Sequence, residues 1–180
     1  GYVGRMAFEK RPDVFVQVAR SVVARIPHAK AIMFGSGPME ESLKSQTWRF
    51  KDHIAFFGDS PFPELCHASI NCLVLTSQWE GFPNVVLEAM ACARPVVAIR
   101  MPATEELIED AQTGFIVDDD VEAIAEAVAV LLKDPALAAR MGQRGRARVE
   151  ELYSMDKMVA AYEALYRDVA FRSGSRRRGF

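Results

Sequence analysis

The stretch NCLVLTSQWEGFPNVVLEAMACARPVVAI, residues 71–99, contains two apolar runs with a helical segment between them. The runs NCLVL and PVVAI have the length and composition of buried strands. The segment between them has a Gly-Phe-Pro-Asn turn followed by a run with helical spacing. A strand, a helix and a second strand in this order predict a βαβ unit with parallel strands.

The same alternation of strands and helices continues on both sides of this stretch. Further strands are predicted at YVGR, AKAIMF, HIAFF and GFIV. Helices are predicted over 12–26, 39–43, 62–69, about 104–111, 120–132, about 135–152 and 154–171. The sequence therefore predicts an α/β fold, a Rossmann-like parallel sheet with helices on both faces and a helical C-terminus.

Composition limits the class of protein. The chain has 180 residues, half of them hydrophobic, and a net charge of −2. This is typical of a globular domain with a full core, and it gives no reason to expect nucleic acid as a partner. No apolar run approaches the roughly 18 residues of a membrane span. The three cysteines are odd in number and lack metal-type spacing, which favours a reduced, cytoplasmic location.

Two cations follow the first predicted strand. Ligands bind doubly wound sheets at the carboxyl ends of the strands, so the loops that follow strands matter most. Arg5 leaves the strand YVG directly, and Lys10 stands at the start of the next helix. They could clamp a diphosphate, Arg5 through its fork of donors and Lys10 as a point charge. The alternative is a solvated pair of surface cations.

Two glutamates flank the turn at 80–84. We take Pro83 as the first helical residue, where the fixed φ of proline suits a helix. Glu80 then precedes the helix, and Glu88 lies in its second turn and points back toward the N-terminus. The free backbone amides at the helix start and the helix dipole form an anion site. Carboxylates for hydroxyl groups beside a site for negative charge would suit a sugar nucleotide.

The turn GSGP, residues 35–38, is a weaker signal. It lacks the third glycine of a dinucleotide fingerprint, because Glu40 occupies that position. Gly35 and Gly37 therefore predict only a tight turn near a ligand, and no nicotinamide cofactor. After the strand HIAFF, Phe57 and the loop that begins at Gly58 could reach a base.

Three consecutive aspartates follow the strand GFIV. Asp118 and Asp120 have the Asp-x-Asp pattern that can hold a divalent metal ion, but Asp119 and Glu122 also form a variant of the capping box. We favour helix capping and predict no metal site. The histidines share no ligand spacing and are interpreted as surface or core residues: His28, His53 and His67.

With these motifs the chain resembles the donor-binding, C-terminal half of the retaining family 4 glycosyltransferases, which have the GT-B fold and belong to the group 1 glycosyl transferases. The resemblance runs in order through GRMAFEK, EGFPNVVLEAMACARPVVA, EELIEDAQTGFIV and YSMDKMVAAYEALY, and it covers nearly the whole chain. It implies that an N-terminal acceptor-binding domain precedes these residues in the intact enzyme.

The resemblance implies a role for each candidate residue. Arg5 and Lys10 match the pair that contacts the donor diphosphate. Glu80 matches the glutamate that meets the transferred sugar, and Glu88 the glutamate that holds the ribose hydroxyls. The backbone of 82–85 matches the turn that contacts sugar and phosphate. The resemblance also implies that no metal ion and no cofactor are needed, the nucleotide-diphosphate sugar being the substrate.

The sequence departs from the family pattern at three places. Ala93 replaces a usual glycine, which would cost roughly 1 kcal/mol in a left-handed conformation. Pro102 and Ala103 replace a common Gly-Gly pair, which affects the geometry of the loop beside the sugar, since proline removes an amide donor. Met155 replaces a frequent tryptophan, which bears only on packing.

Three segments are predicted from these observations. Residues 1–153 form the nucleotide-sugar-binding domain, and the helix 154–171 crosses to the N-terminal domain. Residues 172–180 form a basic tail, which is either disordered or in contact with anionic lipid at the inner face of the membrane.

The leading hypothesis is the donor domain of a retaining hexosyltransferase that acts on a glycan or lipid acceptor. The alternatives are a nucleotide-sugar epimerase on the same fold and a non-catalytic binding or interaction domain. The predicted catalytic residues are Arg5, Lys10 and Glu80. The predicted donor-binding residues are Gly35, Gly37, Phe57, Gly58, Gly81, Phe82, Pro83, Asn84, Val85 and Glu88.

Overall fold

The computed structural model describes the backbone of residues 1–176 and the side chains of residues 1–170. In these residues the strands are β1 (Tyr2–Val3), β2 (Ala31–Phe34), β3 (Ile54–Phe56), β4 (Leu73–Leu75), β5 (Val96–Ile99) and β6 (Gly114–Val117). The α-helices are α1 (Pro12–Arg25), α2 (Glu40–Thr47), α3 (Pro63–Ala68), α4 (Asn84–Ala91), α5 (Pro102–Leu107), α6 (Val121–Lys133), α7 (Pro135–Leu152) and α8 (Met155–Arg176).

The strands form two parallel sheets, β1–β2–β3 and β4–β5–β6. Gly1 joins them: its nitrogen donates to the Cys72 carbonyl and its carbonyl accepts from the Val74 N–H, each at 2.8 Å. The resulting order is β3–β2–β1–β4–β5–β6, with β1 and β4 at the centre. Because the order reverses between β1 and β4, the carboxyl ends of these two strands are where a doubly wound sheet binds its ligand.

Strand β5 shows that both faces of the sheet are covered. Successive side chains of a strand point to opposite faces. Val97 and Ile99 pack in one cluster with α1 and α6, whereas Val96 and Ala98 pack in another with α4 and α5. The four side chains are all buried. The predicted Rossmann-like arrangement, with helices on both faces, is confirmed.

Helices α2 and α5 differ from the predicted bounds, as does α8, described below. The helix predicted over 39–43 continues to Thr47. The helix predicted at about 104–111 lies earlier, since α5 begins at Pro102, where a missing N–H costs no helical hydrogen bond. It ends at Leu107 because Ile108 is extended and buried in the core, and Ala111 has a φ of 58°. The prediction was right about the type of element and wrong about its ends.

Helix α7 approaches α4 closely through two glycines. A Cβ on Gly142 would overlap the Ala93 carbonyl, and one on Gly145 would lie 3.3 Å from the Met90 side chain. Ala93 follows α4 and has a φ of 54°, the left-handed conformation that was considered for this position in the sequence. Alanine there costs about 1 kcal/mol relative to a residue without a Cβ.

Helix α8 has an exposed apolar face. A break at Tyr153 and Ser154 separates it from α7. Apolar side chains at spacings of three and four lie on one side of the helix, and all are exposed: Met155, Met158, Val159, Tyr162, Leu165, Tyr166 and Val169. Within the described residues, no helix is both long and apolar enough to cross a membrane. The helix predicted over 154–171 continues to Arg176, so the prediction that the tail begins at 172 is wrong by five residues. Residues 177–180 lie outside the described part of the chain.

Candidate functional site

A cavity of about 500 Å³ opens at the carboxyl ends of β1 and β2. Its walls come from the loops that follow β1, β2 and β3, the edge where the sequence predicts a ligand. Arg5 lines this cavity and has an exposed side chain. Asp59 and Ser60 form part of the opposite wall, and Asp59 accepts a hydrogen bond from Ser36 Oγ at 2.5 Å.

Tyr2 holds the backbone at Arg5. The Tyr2 hydroxyl donates to the Arg5 carbonyl at 2.7 Å. Burial raises the pKa of Tyr2, and the neighbouring Glu9 and Glu80 carboxylates raise it further. The hydroxyl is therefore protonated at neutral pH and remains a donor. This bond fixes the direction in which the chain leaves β1.

Gly35 and Gly37 also line the cavity and let two loops meet. Gly35 has a φ of 119°, and a Cβ there would overlap the Gly4 carbonyl. A Cβ on Gly37 would lie 2.5 Å from the Met6 carbonyl. The backbone therefore forms the tight turn predicted from GSGP. The close packing of these two loops against each other accounts for both glycines, and no contact with a ligand is needed to explain them.

Phe57 and Gly58 begin the loop after β3. Gly58 has a φ of 69°, and its carbonyl accepts the Gly35 N–H at 2.7 Å. The Phe57 ring stacks on Phe34, a cavity-lining residue, with centroids 5.3 Å apart. Phe57 is nevertheless 61% exposed. An exposed ring next to a cavity offers a flat apolar surface to a planar group such as a base.

Lys10 and Glu80 meet although 70 residues separate them. Lys10 Nζ lies 2.6 Å from one oxygen of the Glu80 carboxylate and 2.8 Å from the other. The Glu80 side chain is 10% exposed and the Lys10 side chain 31%. Thr76 Oγ1 donates to the Lys10 carbonyl at 3.0 Å, which ties the loop after β1 to the loop after β4. The structure thus brings two of the three predicted catalytic residues into direct contact.

The turn after Glu80 leads into α4. The prediction that Pro83 is the first helical residue is wrong, because Pro83 has a ψ of 89° and α4 begins at Asn84. Pro83 instead buries its ring. The amides of Asn84 and Val85, in the first helical turn, have no acceptor within the helix. Gly81 faces open space, so no contact within the described chain explains a glycine there.

Phe82 extends from this turn over the end of α7. It is exposed, and its ring lies 6.2 Å from that of Tyr153, centroid to centroid. Tyr153 in turn donates to the Glu106 carbonyl at 3.2 Å. The Phe82 side chain therefore contacts the residue at the break before α8, while its backbone remains in the turn before α4.

Glu88 lies in the second turn of α4, as predicted. Its side chain is 43% exposed, and Oε2 lies 3.3 Å from His67 Nε2. His67 is fully buried on α3. Glu88 therefore contacts His67 and not the Lys10–Glu80 pair. Glu88 lies on α4, and Glu80 precedes the N-terminus of the same helix.

The three aspartates each have a partner in the chain. Asp120, not Asp119, is the N-cap of α6, and its carboxylate accepts the Ala123 N–H at 2.8 Å. Asp119 pairs with Arg11 at 2.6 Å. The predicted Asp119–Glu122 box is therefore wrong, although the role in capping is right. No cluster of three potential metal ligands occurs within the described residues.

Sequence reasoning missed two residues of the site. Thr76 follows a buried strand and gives no signal of its long-range bonds. His67 was interpreted as an ordinary surface or core residue. The available signal was its place among apolar residues in FPELCHAS, since a histidine on a buried helix face needs a polar partner.

The sequence of the chain matches a known protein family and several curated relatives. The model of the family described as Glycosyl transferases group 1 matches residues 1–148. The N-acetyl-alpha-D-glucosaminyl L-malate synthase of Bacillus anthracis is 31% identical over 163 residues, covering 89% of this chain and 42% of that protein. The GDP-mannose-dependent alpha-(1-6)-phosphatidylinositol monomannoside mannosyltransferase of Mycolicibacterium smegmatis is 33% identical over 156 residues, covering 80% and 41%. The chain spans less than half the length of these relatives.

Solved structures show the same fold. TarM of S. aureus, determined with Fondaparinux, alpha-GlcNAc-glycerol and UDP, matches with a TM-score of 0.88 at 26% identity. The match covers 92% of this chain and 34% of that chain. It confirms the predicted Rossmann-like domain of the GT-B type.

Proposed function

Because the chain belongs to the group 1 glycosyl transferases, we propose that it is the donor-binding domain of a retaining glycosyltransferase. The intact enzyme transfers a hexose from a nucleotide-diphosphate sugar to a glycan or lipid acceptor. The observation that carries this proposal is the Lys10–Glu80 pair in front of α4, with the partly exposed Glu88 carboxylate in the second turn of the helix. A cation, free amides and carboxylates are the groups that a nucleotide-diphosphate sugar requires.

Arg5 and Lys10 act on the diphosphate. When the bond between the sugar and the diphosphate breaks, negative charge develops on the departing phosphate oxygen. The two cations and the amides of Asn84 and Val85 stabilise that charge, an electrostatic effect that is usually the largest single contribution to catalysis. The exposed Arg5 side chain and the partly exposed Lys10 ammonium are accessible to such a ligand.

Glu80 acts on the transferred sugar. Its two oxygens already accept bonds from Lys10. An ionised carboxylate has about four acceptor positions, so Glu80 can hold Lys10 and a sugar hydroxyl together. Lys10 in turn has three donors, which allows it to contact Glu80 and a phosphate oxygen at once. The pair thus links the sugar to the leaving group.

Donor binding requires no metal ion and no cofactor in this proposal. Asp118 lies 3.6 Å from Arg100, Asp119 pairs with Arg11, and Asp120 caps α6. These contacts account for the only Asp-x-Asp pattern that suggested a metal. The cations of the chain perform the charge neutralisation for which a divalent ion would otherwise be needed.

The remaining partner is the acceptor-binding domain. The exposed apolar face of α8 suits contact with another domain, because seven large apolar side chains along one side of a helix are unfavourable in water. We assign that face to the N-terminal domain. Contact of the basic tail with anionic lipid stays a prediction.

Calorimetry with UDP, GDP, ADP and the corresponding monophosphates tests the proposed function. UDP is present in the TarM structure, and the M. smegmatis relative is named for GDP-mannose, so the base is an outcome of the experiment. We expect one diphosphate to bind, and to bind more tightly than its monophosphate. A non-catalytic interaction domain would show no such preference. The epimerase alternative is not favoured, since the matching family is one of transferases.

A further inference from the structure

His67 is a buried histidine whose ring has one polar contact among the described residues, with Glu88. The residue has 0% exposure and lies on α3, a six-residue helix packed beside α4. Its Nε2 faces Glu88 Oε2 at 3.3 Å. Its other ring nitrogen, Nδ1, is buried and has no hydrogen-bond partner among the described residues. The single polar contact of the ring is therefore with the carboxylate to which the proposed function assigns ribose binding.

The surroundings of the ring fix its protonation state. Burial lowers the pKa of His67, the Glu88 carboxylate opposes this, and the Gly1 amino group adds to the lowering. A charged ring would also bury an unpaired N–H at Nδ1, which is costly. The ring is therefore neutral at pH 7 with its proton on Nε2, and it donates that proton to Glu88.

This bond changes what Glu88 can do. A glutamate side chain on a helix surface loses rotamer entropy when a ligand fixes it, which opposes binding. A donor from the buried side holds the Glu88 carboxylate in place before the ligand arrives. It uses one of the acceptor positions of Oε2, and the partly exposed carboxylate keeps the others for a pair of neighbouring hydroxyls.

We propose that His67 is a positioning residue for Glu88, and that it gives the site its preference for a ribose over a 2′-deoxyribose diphosphate. This inference rests on the proposed function of Glu88. A carboxylate held in one orientation gains from both ribose hydroxyls, whereas a mobile one gains less from the second. The discrimination between the two sugars therefore depends on the His67 donor.

The test compares His67→Leu with His67→Gln in the full 180-residue chain. Glutamine can place its amide N–H near the position of Nε2, whereas leucine has no donor. Calorimetry measures the affinity for the tightest-binding of UDP, GDP and ADP and for its 2′-deoxy form. We expect His67→Leu to reduce the ribose preference by about three- to tenfold, because a mobile carboxylate loses part of one hydrogen bond to a ribose hydroxyl. His67→Gln should retain most of it.

Two further variants separate the outcomes. Leu131→Ala removes a buried side chain on α6 and controls for general loss of stability, since it should leave the ribose preference unchanged. Glu88→Gln should lower that preference. If wild type binds no diphosphate, the proposed function and this inference both fail. If Glu88→Gln lowers the preference but His67→Leu does not, this inference alone is overturned.

A measurement on wild type covers the case in which His67→Leu does not fold. Side-chain ¹H–¹⁵N spectra at pH 7 report which ring nitrogen carries the proton. We expect a neutral His67 ring with a protonated Nε2, whose resonance shifts when diphosphate is added. A charged ring, or a proton on Nδ1, would overturn the inference.

Discussion

Replacing Lys10 by methionine separates the contribution of the Lys10–Glu80 pair to stability from its contribution to binding. The substitution keeps the unbranched apolar stem and removes the ammonium. A hydrogen bond to a charged group contributes about 1.5–3 kcal/mol. Because Lys10 is 31% exposed, solvent screening reduces this. We therefore expect Lys10→Met to lower the free energy of unfolding by about 1–2 kcal/mol.

The melting temperature and the ligand affinity give two independent readouts. For a domain of this size each kcal/mol changes the melting temperature by about 2–4 °C, so the loss should be about 2–8 °C by differential scanning fluorimetry. Much of it arises because Glu80, 10% exposed, is left without its partner. The double variant Lys10→Met with Glu80→Gln should therefore recover about half of the loss or more. Diphosphate affinity, measured by calorimetry, should fall about tenfold or more in both variants.

A matched lysine provides the control. Lys44 pairs with Glu40 at 2.7 Å on the surface of α2, and its side chain is 44% exposed. Lys44→Met should leave the melting temperature and the diphosphate affinity nearly unchanged, because solvent screens an exposed ion pair. Unaltered diphosphate affinity in a folded Lys10→Met protein would refute the role of Lys10. Recovery of affinity in the double variant would show that the unpaired Glu80 carboxylate, and not the lost cation, weakened binding.

Three other substitutions test separate parts of the structure. Gly35→Ala should destabilise the chain by about 2 kcal/mol or more in denaturant unfolding, because its Cβ would overlap the Gly4 carbonyl; a smaller loss would contradict the described turn. Asp120→Ala should cost about 1 kcal/mol through the lost bond to the Ala123 N–H, with diphosphate affinity the same in EDTA and in manganese; manganese-dependent binding abolished by this change would revive the metal-dependent interpretation. Because the pKa of His67 is lowered in the folded chain, the unfolded chain takes up the proton at a higher pH. The neutral ring therefore contributes its full stability above pH 6.5. Below that pH the free energy of unfolding falls by up to about 1.4 kcal/mol per pH unit. His67→Gln should flatten this part of a melting-temperature profile, and a profile identical to wild type would argue against a buried neutral ring.

The strands and the edge that carries the site were predictable because they depend on local pattern. Apolar runs that alternate with helices predict parallel strands. In a parallel sheet with β1 beside β4, the loops after these two strands lie side by side. The Lys10–Glu80 contact could not be predicted as a bond, since the two residues are 70 positions apart and Thr76, which ties their loops together, has no distinguishing sequence context. His67 did have a signal, its place among apolar residues, but that signal does not identify Glu88 as the partner, because Glu88 lies on another helix.

Boundaries and capping residues were less predictable. Three consecutive aspartates before α6 offer three possible caps, and the structure identifies Asp120 as the cap because its carboxylate accepts the Ala123 N–H. Pro83 fits the first helical position by its φ of −77° but not by its ψ of 89°. Both errors concern a single residue, where tertiary packing decides among nearly equivalent local choices.

The close approach of Gly142 to Ala93 has a consequence for substrate selection. It leaves α4 no space to slide or rotate at its C-terminal end, so the helix that carries Glu88 is fixed with respect to α7. The segment 78–82 in front of α4 is mostly exposed, and it is tied to the loop after β1 through the Gln78 N–H and the Glu80 carboxylate. Under the proposed function, this segment and not the helix would therefore adjust to sugars of different size. Under the proposed function, sugar preference should then change, with nucleotide affinity kept, when Gln78, Trp79, Gly81 and Phe82 are exchanged and Glu80 is retained as the partner of Lys10.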